Sequence, residues 1–127
     1  RNGGSWLNLV GSQDHQIVLE QMRKCNVFVL PSYSEGFPYV ILESMVMGCP
    51  IVATSVGAID DMLNINDNKP AGICVKPQNM MELKDAIQIL LENNMMAKQL
   101  GLIAKQRVLK EYTINVICNS LVDIWSV

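Results

Sequence analysis

The residues best suited to chemistry are two glutamates, Glu35 and Glu43, which stand eight positions apart in the most apolar third of the chain. A carboxylate can accept two hydrogen bonds from vicinal hydroxyl groups. Glu43 could therefore hold a ribose while Glu35 holds a sugar. Glu35 falls in a loop just before a predicted helix, whose start carries N–H donors and partial positive charge and so suits a phosphate. Together these features indicate a polyol-phosphate site.

A simpler interpretation of the same two residues stays open from spacing alone. Glu35 could cap the helix, because acidic residues are common near helix starts. Glu43 could pair with a Lys or Arg, because an unpaired carboxylate on an apolar helix would cost several kcal/mol.

The segments around the two glutamates are predicted to be a strand, a turn and a helix. Residues 27–30 form a short apolar run typical of a buried strand, and 31–34 read as the turn that ends it. Pro38 suits a first helical position, and Gly48 with Pro50 supplies a stop, which predicts a helix over 38–47.

Strands and helices alternate along the rest of the chain. Further strands are predicted at 6–10, 50–54 and 72–75, and further helices at 14–24 and 58–63. This order predicts a parallel sheet with right-handed crossovers and ligands at the carboxyl ends of its strands. Residues 11–12, 31–36 and 56–57 should therefore share one edge.

The last third is predicted to be helical. Asn79, with Glu82 three residues on, caps a helix that Asn93-Asn94 breaks, and its apolar face comprises Leu83, Ala86, Ile87, Leu90 and Leu91. A second helix over 95–111 turns Leu100, Ile103, Ala104 and Val108 inward, and Thr113 caps a third helix that ends near Trp125.

Composition limits the classes of function. The 127 residues form one domain, 1–127, and the start at Arg1 without an initiator Met predicts a fragment of a longer protein. Ten basic and twelve acidic residues without a basic cluster argue against nucleic acid as a partner. No apolar run approaches the length of a membrane span.

The side chains that commonly bind metals give no pattern for a metal site. Cys25, Cys49, Cys74 and Cys118 lie next to or within apolar runs without a C-x-x-C pair, which predicts reduced core thiols in a cytosolic protein. His15 opens a helix without a second ligand nearby in sequence, which predicts a surface or capping residue.

Three segments, taken together, resemble the group 1 glycosyltransferases. They are 27–38 (VFVLPSYSEGFP), 42–54 (LESMVMGCPIVAT) and 56–59 (VGAI), and the likeness covers nearly the whole chain. The resemblance implies an α/β fold, a Rossmann-like parallel sheet with flanking helices followed by a helical C-terminal segment. It would be the C-terminal, donor-binding half of a GT-B fold, acting on nucleotide sugars with retention and without a metal or other cofactor.

The resemblance also implies roles for individual residues. The family's E-x7-E motif maps onto Glu35, near the reacting centre of the donor sugar, and Glu43, on the ribose hydroxyls. The segment from Gly36 to Val40 faces the sugar and diphosphate through the N–H groups of Phe37, Tyr39 and Val40, while Pro38 has none to give. Gly11, Ser12 and Gln13 match the loop that lies against the base.

The implied activity is transfer of a hexose to a glycan or lipid-linked acceptor, for example in surface polysaccharide synthesis in the cytoplasm. The family's basic phosphate-binding residues precede Arg1, and the acceptor is recognised by an absent N-terminal half. This chain alone should therefore bind donor without transferring sugar, and peripheral association of the full-length enzyme with the inner face of the membrane stays open. Alternatives are a nucleotide-sugar epimerase of the same architecture and a non-catalytic α/β binding module.

Overall fold

Three parallel strands form a sheet at the centre of the described part of the chain. The computed structural model describes residues 14–32, 39–63 and 68–111. Strands β1 (Phe28–Leu30), β2 (Ile51–Thr54) and β3 (Ile73–Val75) lie in the order β1-β2-β3. Phe28 aligns with Ile51, and Val52 aligns with Ile73, so all carboxyl ends lie at the same edge. The predicted parallel sheet is confirmed, while the strand predicted at 6–10 lies outside the described residues.

Five helices flank the sheet in the described ranges. They are α1 (His15–Lys24), α2 (Tyr39–Val46), α3 (Ile59–Leu63), α4 (Met80–Glu92) and α5 (Asn94–Glu111). Helices α2 and α3 connect successive parallel strands, as the alternating pattern predicted. Among the described residues, no helix has the length and hydropathy that a membrane-spanning segment requires.

Strand β2 is covered on both faces, since all four of its residues are buried. Ile51 and Ala53 join the core beneath α2, α3 and α5, whereas Val52 joins a second core beneath α4 and the start of α5. Side chains alternate between the two faces of a strand. The continuous apolar run at 51–53 therefore fills two cores at once.

Helix α2 packs closely against α5 where two glycines meet. Gly48 follows α2 with a positive φ of 71°, a conformation that glycine adopts without strain. A Cβ on Gly101 of α5 would overlap the Gly48 carbonyl oxygen. The absence of a side chain at position 101 therefore sets the spacing of the two helices.

The predicted cap of α4 is confirmed. The Asn79 side chain accepts a hydrogen bond from the Glu82 N–H at 3.0 Å, and its Nδ2 donates to Glu82 Oε2 at 3.1 Å. Glu82 Oε1 also accepts from the Lys76 N–H at 3.0 Å, which fixes the turn after β3.

Two details of the helical segment differ from the sequence-based predictions. Asn93 alone separates α4 from α5, because its side chain accepts from the Met96 N–H and caps α5, so that Asn94 is already helical. Leu91 is 57% exposed and lies off the buried face of α4. The helix predicted after Thr113 lies outside the described residues.

Candidate functional site

The described residues include part of the site predicted from sequence. Glu43, Tyr39 and Val40 lie on α2. The other predicted site residues are Glu35, Gly36, Phe37, Pro38, Gly11, Ser12 and Gln13, and these lie outside the described residues.

Glu43 is buried in the middle of α2. Its neighbours Ile41, Leu42 and Met45 are apolar and almost fully covered, and the carboxylate itself is 4% exposed. Helix α2 is covered on so many sides because α1, α3 and α5 all pack against it. The carboxylate is therefore held where solvent reaches it poorly.

The carboxylate of Glu43 contacts an imidazole from another helix. His15 Nε2 lies 2.9 Å from Glu43 Oε2, and the His15 side chain is 11% exposed. The prediction that His15 is a surface or capping residue is therefore wrong. It was wrong because α1 packs on α2 and turns the first residue of α1 toward the buried carboxylate.

Burial disfavours the charged form of both His15 and Glu43. It raises the pKa of Glu43 to about 7 and lowers the pKa of His15. Attraction between a carboxylate and an imidazolium at 2.9 Å opposes both shifts. Near neutral pH Glu43 is thus only partly ionised, and its ionised form could accept hydrogen bonds from two hydroxyl groups of a ligand.

The start of α2 adjoins the carboxyl edge of the sheet. Tyr39, its first residue, is half exposed, and Val40 is partly buried against the core. The N–H groups of a helix's first turn point out of its start and carry partial positive charge. A phosphate at this edge would therefore meet favourable electrostatics.

Hydrogen bonds fix the segments that leave the sheet at this edge. Thr54, at the end of β2, donates through Oγ1 to the carbonyl oxygen of Ser32 at 2.7 Å. The next residue, Ser55, donates to the Asp60 carboxylate at 2.5 Å, which ties β2 to α3. The chain ends of β1 and β2 are thus held together at one edge. This agrees with the prediction for 31–36 over its described residues, 31–32.

A small cavity of about 70 Å³ opens beside these hydrogen bonds. Ser32, Thr54, Lys76 and Asn79 contribute to its lining, so it lies where the three strands meet the start of α4. Across 14–32, 39–63 and 68–111, no three His, Cys, Asp or Glu side chains converge where they could hold a metal ion.

Comparison with known proteins gives the family context of this arrangement. Residues 4–107 match the family model described as glycosyl transferases group 1. The chain is 35% identical over 101 residues to an uncharacterized glycosyltransferase of Methanocaldococcus jannaschii, covering 80% of this chain and 28% of that protein.

A second relative carries a more specific name. The chain is 32% identical over 109 residues to the N,N'-diacetylbacillosaminyl-diphospho-undecaprenol alpha-1,3-N-acetylgalactosaminyltransferase of Campylobacter jejuni, covering 85% of this chain and 28% of that enzyme. The chain therefore spans less than a third of the length of these two relatives.

Solved structures show the same fold. Sucrose-phosphate synthase from Thermosynechococcus elongatus superposes with a TM-score of 0.81 at 29% identity, covering 97% of this chain and 30% of that one. The Anabaena protein Alr3699/HepE, crystallised in complex with UDP, superposes with a TM-score of 0.69 at 21% identity, covering 84% of this chain and 29% of that one.

Proposed function

Because the chain belongs to the group 1 glycosyl transferases, we propose that it is the donor-binding domain of a retaining hexosyltransferase. On this proposal residues 1–127 are one nucleotide-sugar-binding unit of a longer, two-domain GT-B enzyme. The enzyme transfers a hexose-type sugar from a nucleoside diphosphate to a glycan or lipid-linked acceptor, independently of a metal.

The observation that carries the proposal is the burial of Glu43 at 4% exposure beside His15. Keeping a carboxylate in an apolar helix is costly, and an imidazole partner offsets that cost only in part. A ribose whose two hydroxyl groups donate to the ionised carboxylate would supply the missing hydrogen bonds.

The other proposed roles follow the family motif. Glu35 contacts the donor sugar near the reacting carbon, and the stretch 36–40 faces the sugar and diphosphate. Tyr39 opens α2, which supports the phosphate role, because a helix start favours an anion. Gly11, Ser12 and Gln13 are proposed to lie against the base.

Two related proteins support the choice of donor and acceptor classes. The Campylobacter enzyme is named for a sugar transfer to a diphospho-undecaprenol substrate, and the Anabaena structure contains UDP. For this protein we propose a uridine diphosphate sugar as the first donor to test and a lipid-linked glycan as acceptor, with synthesis at the cytoplasmic face of the membrane.

The proposal is tested by titrating the full-length protein with UDP, GDP and ADP and their sugar conjugates in a calorimeter. We expect one nucleotide series to bind saturably and Glu43→Ala to abolish that binding while the thermal unfolding transition is retained. Glu20→Gln is the matched control, since Glu20 is an exposed glutamate that pairs with Arg23 on the outside of α1. Undiminished binding by Glu43→Ala would contradict the assignment of the site.

Transfer is distinguished from epimerisation by incubating the full-length protein with the donor alone. An epimerase converts the nucleotide sugar without an acceptor, whereas the proposed transferase leaves its configuration unchanged. Conversion of the donor sugar to its epimer would overturn the proposed reaction but not the proposed nucleotide site.

A further inference from the structure

Two cysteine thiols meet at the edge of the sheet opposite the proposed donor site. Cys25 Sγ lies 2.6 Å from Cys49 Sγ. Cys25 directly follows α1, and Cys49 lies in the turn that leads into β2. This separation is only slightly longer than the S–S bond of a disulfide, about 2.05 Å.

The backbone holds both thiols in this position. The Cys25 N–H donates to the Gln21 carbonyl at 2.9 Å, and its Sγ donates to the Met22 carbonyl at 3.3 Å. The Cys49 N–H donates to the Ser44 carbonyl at 3.0 Å. Because β1 and β2 are parallel and aligned, the residues just before them come together at the amino edge.

The two thiols differ in their access to solvent. Cys49 is 2% exposed, whereas Cys25 is half-buried and lines an open cleft of about 380 Å³. Arg23 and Lys98 line the same cleft, which opens to solvent beside Cys25. A small oxidant would therefore reach Cys25 first.

We propose that Cys25 and Cys49 form an oxidisable dithiol that hydroperoxides convert to an intramolecular disulfide. The Cys25 thiolate attacks the terminal peroxide oxygen, the O–O bond breaks, and the leaving oxygen takes up a proton to become an alcohol or water. The resulting Cys25 sulfenic acid is attacked by the Cys49 sulfur, which gives up its proton and displaces water. In total, two thiols and one hydroperoxide give one disulfide, one alcohol and one water.

The order of the two steps agrees with the surroundings of the thiols. Burial, together with Cys25 beside it, raises the pKa of the Cys49 thiol. Cys49 is thus a poor first nucleophile and serves as the resolving thiol. It can lose its proton as the S–S bond forms, because the sulfenic acid stands in contact with it.

Cys74 provides an internal contrast. It lies on β3, and burial, with the Asp60 carboxylate nearby, raises the pKa of its thiol to about 12. Within the described ranges the thiol–thiol contact is the one between Cys25 and Cys49. We therefore expect oxidation to spare Cys74.

The bond would join the end of α1 to the start of β2. Closing a loop between residues 25 and 49 restricts the unfolded chain more than the folded one, because the sulfurs are already adjacent in the fold. The oxidised protein should unfold at a higher temperature than the reduced protein, and dithiothreitol should reverse the increase.

The experiment treats the full-length protein with stoichiometric hydrogen peroxide and maps its disulfides by peptide mass spectrometry without reduction. We expect a Cys25–Cys49 peptide to form, a raised melting temperature, and reversal of both by dithiothreitol. Cys74→Ser should form the same bond, whereas Cys25→Ser should leave Cys49 as a free thiol and show no peroxide-dependent rise in melting temperature.

Two outcomes would overturn the proposal. One is that Cys25 accumulates as sulfinic or sulfonic acid while Cys49 stays reduced, which would mean that the thiols do not react with each other. The other is that Cys25 bonds to a cysteine other than Cys49. The mapping on the unmutated protein decides between these outcomes even if a variant folds poorly, and it does not depend on sugar-nucleotide binding.

Discussion

His15 Nε2 lies 2.9 Å from Glu43 Oε2, and this contact joins the first residue of α1 to the middle of α2. Both side chains are nearly withdrawn from water, and burial raises the pKa of Glu43 while it lowers the pKa of His15. The ionisation of Glu43 is therefore linked to the stability of the fold and, on the proposed function, to the binding of a ribose.

Stability should depend on pH through Glu43. Burial raises its pKa from an ordinary 4.5 to about 7, so that in this window the folded protein binds more protons at Glu43 than the unfolded chain. The stabilisation from this group is complete below pH 4.5 and is lost as the pH rises through about 7. Glu43→Gln removes this dependence, whereas the parent loses stability as the pH rises. The difference in unfolding free energy, variant minus parent, should therefore increase from about pH 5 to about pH 8.

Urea denaturation at several pH values measures this difference. Glu20→Gln is the control, because the hydrogen bond and charge of Arg23 lower the pKa of exposed Glu20, and its difference from the parent should stay constant above about pH 5. His15 contributes with the opposite sign, since burial lowers its pKa. Its stabilisation is complete above its ordinary pKa of 6.5 and is lost as the pH falls from there through the lowered value. A constant difference for Glu43→Gln would show that Glu43 does not titrate in this range.

Donor affinity should rise with pH through the same carboxylate. On the proposed function, ionised Glu43 accepts hydrogen bonds from the ribose, and protonation removes part of that capacity. We expect the affinity for UDP-glucose to increase several-fold between about pH 6 and about pH 8, over which most of the carboxylate ionises. UDP-glucose is preferred to UDP because it has no terminal phosphate that titrates in this window. If the affinity of Glu43→Gln for UDP-glucose depends on pH in the same way, a group other than Glu43 causes the dependence.

Gly101→Ala should separate α2 from α5. The new methyl group would overlap the Gly48 carbonyl oxygen, which is backbone and cannot rotate away. We expect a loss of about 1–3 kcal/mol in unfolding free energy, although alanine normally favours a helix over glycine by about 1 kcal/mol. Gln99→Ala, at an exposed position of the same helix, should change stability by less than about 0.5 kcal/mol. Equal stability of Gly101→Ala and the parent would disprove the close approach.

Thr54→Val should weaken the connection between the ends of β1 and β2. The substitution keeps the shape of a buried side chain and removes the 2.7 Å hydrogen bond from Oγ1 to the Ser32 carbonyl. We expect a loss of about 1 kcal/mol in chemical denaturation, because the carbonyl loses a buried donor. Thr54→Ser retains the hydroxyl and should recover the part of the loss that the hydrogen bond causes. If serine and valine are equally destabilising, the effect is one of packing.

Asn79→Ala should destabilise α4 by about 1 kcal/mol, the usual value of an N-cap. The alanine variant loses the acceptor for the Glu82 N–H and the donor to the Glu82 carboxylate. Asn79→Ser keeps an acceptor at the cap and should recover most of the stability in a urea titration. An alanine variant as stable as the parent would mean that water replaces the cap at this exposed helix start.

Most of the sheet and its flanking helices could be predicted because their signals are local. The apolar run before Pro31 gave β1, and the buried run ending at Thr54 gave β2. Asn79 and Glu82 marked the start of α4. The prediction that Leu91 lies on the buried face of α4 is wrong. Periodicity shows which side of a helix is apolar, but the width of the buried stripe depends on how closely α5 packs against α4.

The contacts between distant residues were harder to predict. His15 was expected at the surface because no local pattern relates it to Glu43, yet a buried carboxylate needs a partner and His15 opens the helix beside it. The contact of Cys25 with Cys49 follows from register: both precede paired parallel strands by two or three residues. The contact between the two cysteines could not be predicted because hydrophobic periodicity does not show which strands pair.

The complete burial of β2 has a consequence for motion. Its amides are covered by helices on both faces and lie between two hydrogen-bonded neighbours, so they should exchange with deuterated solvent through unfolding of the whole domain. Exchange at β2 should therefore measure the unfolding free energy of the domain, and it supplies a common reference for the variants above.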